Sequence, residues 1–182
     1  MNLVEITNNK FDVEIDLAYA KTSNFTGKRI YINSKCYIHI DAIGNFKKAI
    51  FFASKIGYKL KIFDAFRPSE AQQLLWKEYP DPNFLTPPSK GSPHSRGIAI
   101  DLTLIRDNKI IDMGTPFDHF SKKSYHGNTD INISAQKNRM LLLGIMTTAG
   151  WDFYKNEWWH YQLFNAKKYK LIKNNMLEQP IM

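Results

Sequence analysis

A single cysteine, Cys36, stands in 182 residues. The chain can therefore close no intramolecular disulfide and build no cysteine-rich metal site, so a metal here would need histidine and carboxylate ligands. Long apolar runs are also missing. Residues 1–12 include Glu5 and Asp12 and no continuous apolar stretch, which argues against a secretory signal or membrane anchor and gives the expectation of a cytoplasmic protein with no membrane partner. Repeats, low-complexity tracts and charge blocks are absent as well. The nine glycines and eight prolines are scattered except around residues 80–93, so residues 1–182 read as one domain. Longer basic runs are lacking too. The formal charge is +8, but lysines come singly or in pairs (Lys47 and Lys48, Lys122 and Lys123, Lys167 and Lys168), without the stripe that marks a nucleic-acid partner.

Aromatic residues, by contrast, are plentiful. Twelve Phe, nine Tyr and four Trp against 23% charged residues supply enough apolar surface to offset the entropy of ordering, so the chain is globular. That content suits a core and an interface equally well, and no oligomeric state follows from it. Ile43, Phe46, Ile50 and Ala53 recur at helical spacing and Gly57 follows as a stop. Tyr58 to Phe66 reads as a strand interrupted by Arg67-Pro68. Ser69 and Gln72 then have the spacing of a capping box for a helix to about Glu78, with a loop over Pro80 to Pro93. Gly97 to Ile105 alternates as a strand, with Ile98, Ile100, Leu102 and Leu104 on one face and Ala99, Asp101 and Thr103 on the other. Asp107-Asn108 suits a hairpin turn. A helix is expected from about Ser134 to Ala149, with Met140, Leu141, Ile145 and Thr148 on its inner side and Gly150 as its stop, and Glu157 to Phe164 as the last strand. This irregular order predicts an α+β fold, a small and mostly antiparallel sheet flanked by helices.

Asp101 is the sharpest local anomaly, because a carboxylate inside an apolar strand is costly to bury without a partner. A structural salt bridge is one answer. A cation is another, since His94 lies seven positions earlier on a turn that Gly97 can fold back tightly. Glu157-Trp158-Trp159-His160 adds an imidazole and a carboxylate beside two large aromatics of the kind that also pack cores. Taken singly, His94 reads as a surface histidine and the Trp pair as core. Together these residues offer His94, Asp101 and His160 to one zinc ion per chain and leave Glu157 as a spare carboxylate at the open position, which is a hydrolase set. The same ligand set serves iron oxygenases. On a regular strand Glu157 and His160 would face opposite ways, so a bend or bulge is expected near Trp158.

The segment Ser92-Pro93-His94-Ser95-Arg96-Gly97-Ile98-Ala99-Ile100-Asp101-Leu102-Thr103-Leu104, followed by Glu157-Trp158-Trp159-His160-Tyr161, resembles the D-alanyl-D-alanine dipeptidases of the VanX type. The likeness extends to Tyr19-Ala20, Asn24-Phe25-Thr26-Gly27, Asp64-Ala65-Phe66-Arg67-Pro68 and Met113-Gly114-Thr115-Pro116-Phe117-Asp118, and covers about residues 12–165. The resemblance implies a DD-peptidase or hedgehog-like fold with zinc at the sheet, held by His94, Asp101 and His160, and Glu157 as catalytic base. It further implies that Arg67 shares the charge of the tetrahedral intermediate, and that Asp118, with Ser92 and Tyr19, receives the ammonium group of a small D,D-dipeptide. Two departures stand out: Pro93 occupies a place where a second serine is expected, and the loop from Tyr79 to Gly91 is shorter, which would open the pocket.

Two other functions share most of these residues. A zinc carboxypeptidase or endopeptidase acting on larger cell-wall peptides would keep His94, Asp101, Glu157 and His160 and differ in having an open groove. A non-catalytic zinc-binding module would have no use for Glu157. Antibiotic resistance, peptidoglycan turnover and use of D-alanine as a nutrient are all compatible with the dipeptidase chemistry.

Overall fold

The structure, a computed structural model, describes residues 2–182. In chain order its strands and helices are β1 (Leu3–Ile6), β2 (Val13–Ile15), β3 (Cys36–His39), α1 (Ile43–Lys55), β4 (Lys59–Asp64), α2 (Ser69–Glu78), β5 (Ala99–Arg106), β6 (Lys109–Ile110), α3 (Ile133–Thr148), β7 (Asp152–Phe153) and β8 (His160–Gln162). The larger sheet has the order β2-β4-β5-β8-β7, with β6 folded back on β5, and β1 pairs with β3 in a second, two-stranded sheet. Only β2 and β4 run parallel. The α+β architecture with a mostly antiparallel sheet is thus present as expected.

Strand β5 is the axis of the molecule. Every residue from Ala99 to Ile105 is buried, so the strand is covered on both faces, unlike a half-solvated antiparallel strand. Its even-numbered side chains, Ile100, Leu102 and Leu104, join the core with Phe46, Ala49 and Ala53 of α1 and Leu142, Ile145 and Met146 of α3. Fully burying an aliphatic side chain of this size contributes about 1.5–3 kcal/mol. At its far end β5 turns into β6 through Asp107 and Asn108, both with positive φ (51° and 58°), the backbone that a two-residue hairpin of matching twist demands.

Several local expectations are corrected. Ser69 and Gln72 form no capping box. Pro68 is the N-cap of α2 without a side-chain cap, Ser69 Oγ donates to Ile172 O, and the Gln72 side chain is committed to Arg67 and Thr86. Helix α3 is rotated from the expected face. Its inner stripe runs through Ala135, Arg139, Leu142, Ile145 and Met146, whereas Met140 and Thr148 are exposed and Leu141 is half-buried. The reason is Arg139, a charged residue that points inward and that an apolar pattern passes over. The last strand is shorter than expected, because Glu157 to Trp159 form a turn and pairing begins only at His160. No helix among the described residues is long and apolar enough to cross a membrane.

Candidate active site

Strand register brings the first residues of the site together. Asp101 lies directly opposite His160 of β8, and Ala99 opposite Gln162, so Asp101, His160 and Gln162 share one sheet face. On the other side, β4 pairs Ile62 with Leu102 but Asp64 with Asp101, a shift of one residue at Phe63. A one-residue slip changes which face a side chain takes. Without that bulge Asp64 would oppose Ile100 and enter the apolar core; with it, Asp64 stands beside Asp101.

Two carboxylates opposite one another repel unless a cation intervenes. Arg67, buried three residues beyond β4, supplies it. Its Nε donates to Asp64 Oδ2 at 2.8 Å, Nη2 to Asp101 Oδ2 at 3.4 Å, and Nη1 to Gln72 Oε1 at 2.9 Å, while the guanidinium lies 5.0 Å from the Tyr19 ring centroid. Tyr31 also donates to Asp64. Arg67 is therefore locked in place rather than solvated.

His94 enters from a 3-10 turn, His94–Arg96, that Pro93 begins and Gly97 ends with φ +70°. Pro93 has φ −57°, the value its ring prefers, so it starts this turn without strain. Gly97 suits the left-handed backbone at this turn, and a Cβ there would lie 2.5 Å from Leu3 Cδ2, so the Leu3 side chain would have to move aside. His94 Nδ1 donates to the carbonyl of Ala65 at 2.6 Å, and Ser92 Oγ accepts from His94 N. A carbonyl can only accept, so in the neutral ring the proton is on Nδ1 and Nε2 carries the lone pair. His160 Nε2 donates in the same way to Gln162 Oε1 at 3.0 Å, which leaves Nδ1 with the lone pair.

With both rings neutral, as ligation requires, three lone-pair donor atoms converge. His94 Nε2 and His160 Nδ1 are 3.0 Å apart, His160 Nδ1 and Asp101 Oδ1 3.1 Å, and His94 Nε2 and Asp101 Oδ1 3.3 Å. Facing lone pairs at this range repel unless something positive sits among them. The spacing is close to the edge, about 3.3 Å, of a tetrahedron whose centre lies about 2.0 Å from each corner, the reach of imidazole and carboxylate ligands to a small divalent cation. The buried group His94, Asp101 and His160 fits a metal ion. Burial alone would raise the Asp101 carboxyl; with no metal bound, the positive charge and hydrogen bonds that His94 and His160 offer when they carry protons more than offset it and hold the group well below the usual carboxylate range, so the carboxylate is ionised as a ligand must be.

Glu157 lies on the turn before β8, with Oε2 3.9 Å from His160 Nδ1, and is buried. The expected bend occurs at Glu157 to Trp159, anchored by Glu157 N to Tyr154 O and Trp158 N to Ser124 O. Burial first, then the charges of Asp101 and Asp118, push the Glu157 carboxyl well above its usual range, against the pull of Arg67. Such a carboxylate is a stronger base. Asp118 stands in the left-handed region (φ 58°) and accepts from the Tyr19 hydroxyl at 3.0 Å. As a residue it is partly exposed, yet its carboxyl is enclosed, and burial together with Asp101 raises it well above the ordinary value.

All eight residues singled out in the sequence, namely Tyr19, Arg67, Ser92, His94, Asp101, Asp118, Glu157 and His160, line one cavity of about 300 Å³. The loop after α2 forms a wall of it through Phe84, Leu85 and Thr86. Asp64, Gln72 and Gln162 were not anticipated. A signal existed for Asp64, a second carboxylate at the end of the apolar strand β4; nothing in the linear order distinguishes Gln72 or Gln162 from surface glutamines.

A family model described as D-ala-D-ala dipeptidase matches residues 1–180 of the chain. The chain is similar to the D-alanyl-D-alanine dipeptidase of Escherichia coli (strain K12), 44% identical over 162 residues, 88% of this chain and 84% of that protein. It is 34% identical over 173 residues to the D-alanyl-D-alanine dipeptidase of Enterococcus faecium (83% of this chain, 86% of that protein), and 32% identical over 176 residues to that of Enterococcus faecalis (strain ATCC 700802 / V583; 84% and 87%).

Proposed function

The chain belongs to the peptidase family described as D-ala-D-ala dipeptidase, and on that footing we propose that it is a metallopeptidase which hydrolyses the D-alanyl-D-alanine dipeptide to two D-alanines. The reading makes residues 1–182 one catalytic domain with one zinc ion held by His94, Asp101 and His160. The observation that carries it is the convergence of three lone-pair donors, 3.0–3.3 Å apart, in a small cavity that also holds an unliganded carboxylate. When bound, the ion would polarise the scissile carbonyl and lower the pKa of water.

The chain's own residues supply the rest. Asp118 and Tyr19, joined by their hydrogen bond, receive the ammonium group of the dipeptide and fix its amino end, with Ser92 on the same cavity wall. Glu157 accepts the proton of the attacking water on its carboxylate and delivers it to the leaving amine, a role suited to its raised pKa. Arg67 is held by Asp64, Gln72 and Asp101 but keeps N–H groups on Nη1 and Nη2 for the negative charge that develops on the carbonyl oxygen. Its guanidinium is already fixed before reaction, so no reorganisation is spent in placing it. The cavity of about 300 Å³ lies at the small end for ligand pockets, which favours a dipeptide over a longer chain.

The test is D-alanine release from D-alanyl-D-alanine by the zinc-loaded protein and by Glu157→Ala, with an L,L dipeptide and an acyl-D-Ala-D-Ala peptide alongside. We expect release from the D,D dipeptide alone and a loss of about 10²–10⁴-fold in kcat for Glu157→Ala. Preferential cleavage of the acyl peptide would make the protein a carboxypeptidase, and no turnover with zinc bound would sink the enzymatic reading.

A further inference from the structure

Asp118 and Glu157 belong to two different irregular segments, the stretch 111–132 between β6 and α3 and the turn 154–159 before β8, and neither has a ladder of its own to shape it. Arg139 of α3 is hydrogen-bonded to the first of them. It is 1% exposed, and every hydrogen bond of its guanidinium goes to the first segment. Nε donates to Met113 O at 2.6 Å, Nη1 to Lys123 O at 2.7 Å and Tyr125 O at 3.0 Å, and Nη2 to Thr115 Oγ1 at 3.3 Å. Met113 and Thr115 precede Asp118 in the chain; Lys123 and Tyr125 follow it. One planar group therefore ties together both arms of the loop that presents Asp118, a task for which the fork of donors in arginine is suited and the point charge of lysine is not.

The same loop holds the turn that carries Glu157. Thr115 Oγ1 accepts from Trp158 Nε1 at 2.9 Å, Ser124 O accepts from Trp158 N at 3.0 Å, and Lys155 O accepts from His126 N at 3.0 Å. Trp158 adjoins Glu157 in sequence. Burying a guanidinium among carbonyls with no carboxylate hydrogen-bonded to it is costly, and burial, only partly opposed by the charge of Asp112, pushes the Arg139 side chain down to about 10. An apolar residue would fill the same volume of α3 without that cost, so the hydrogen bonds are what the arginine provides.

We propose that Arg139 is a positioning residue of this active site, whose guanidinium sets, through one hydrogen-bonded loop, the places of both Asp118 and Glu157. The proposal rests on the roles given to those two carboxylates under Proposed function. The side chains of His94, Asp101 and His160 make no hydrogen bond to this network, so one metal ion per chain should be retained when Arg139 is replaced.

The experiment compares zinc content, kcat and KM for D-alanyl-D-alanine in the full chain, in Arg139→Lys and in Thr115→Val. Arg139→Lys keeps the charge but cannot reach both arms. It should retain one zinc per chain while KM rises and kcat falls, with kcat/KM down about 10–100-fold, as for other residues that orient a site from behind. Thr115→Val leaves the three backbone bonds of Arg139 and cuts the link to Trp158, so it should lower kcat and leave KM unchanged. A folded, zinc-bound Arg139→Lys with both constants within about twofold of the parent overturns the proposal; if Arg139→Lys does not fold, Thr115→Val with unchanged kcat overturns it. The parent's own release of D-alanine is the control. Its absence overturns the reaction and this proposal together, whereas an active parent with unaffected variants overturns the proposal alone.

Discussion

Asp101 has a carboxylate on one flank, an imidazole on the other and a guanidinium across it, and each neighbour answers a different physical demand. Asp64 fixes Arg67, Arg67 removes the repulsion between the two acids, and His160 shares the sheet face of Asp101. His126 shows the opposite case, a buried titratable ring that nothing satisfies. Neither of its nitrogens has a hydrogen-bond partner, and its ring packs edge-on against Phe153 and Tyr161. Burial, with Arg139 and His160 adding to it and the nearby Glu157 backbone opposing it only in part, pushes it down to about 4. The folded protein then refuses a proton that the unfolded chain accepts near pH 6.5. Stability is present in full above pH 6.5 and is lost as pH falls toward 4, by about 3 kcal/mol at most. His126→Leu should remove this dependence, so its urea midpoint should exceed that of the parent at pH 5 and differ little at pH 7.5. Equal midpoint shifts at both pH values would show that the ring finds a partner.

Among elements, the 3-10 turn at His94 and the bulge at Phe63 decide whether the side chains meet. Gly97→Ala puts a Cβ into left-handed backbone and against Leu3, which should cost about 1–2 kcal/mol from conformation alone and tilt His94 away from His160. Thermal unfolding and zinc affinity together check this, and a variant with unchanged affinity would mean that the turn is held by Ala65 and Ser92 instead. Helix α1 and the hairpin at Asp107 were legible because spacing, a glycine stop and turn residues are local signals, and α2 was expected in the right place on a cap signal that the structure does not use. The inward face of α3 and the cap of α2 were not. Arg139 and Gln72 are polar residues whose partners lie on distant segments, so no local pattern reveals that they point inward.

For the whole molecule, a metal that binds only the native state adds to its stability. At free zinc about 100 times the dissociation constant the gain is about 2.7 kcal/mol, so chelation should lower Tm by roughly 5–10 °C in a chain of this size. Calorimetry with and without chelator measures it. Asp101→Asn should abolish the response, and a persistent response in that variant would place the ion elsewhere.

The sequence by itself determined the chemistry available: with one cysteine, only histidine and carboxylate could hold a metal, and Asp101 stood out as a carboxylate inside an apolar strand, while His94, His160 and Glu157 gained meaning only in combination with it. It also determined the α+β class, since helical and strand periods are written in the order of apolar residues. Tertiary structure alone decided the rest. The one-residue shift at Phe63 put Asp64 beside Asp101, cross-strand register set His160 opposite it, and Ala65 O and Gln162 chose which imidazole nitrogens stay free of a proton. These depend on pairing between residues far apart in the chain, and a register or a hydrogen-bond partner at long range has no signature in either partner's immediate neighbours.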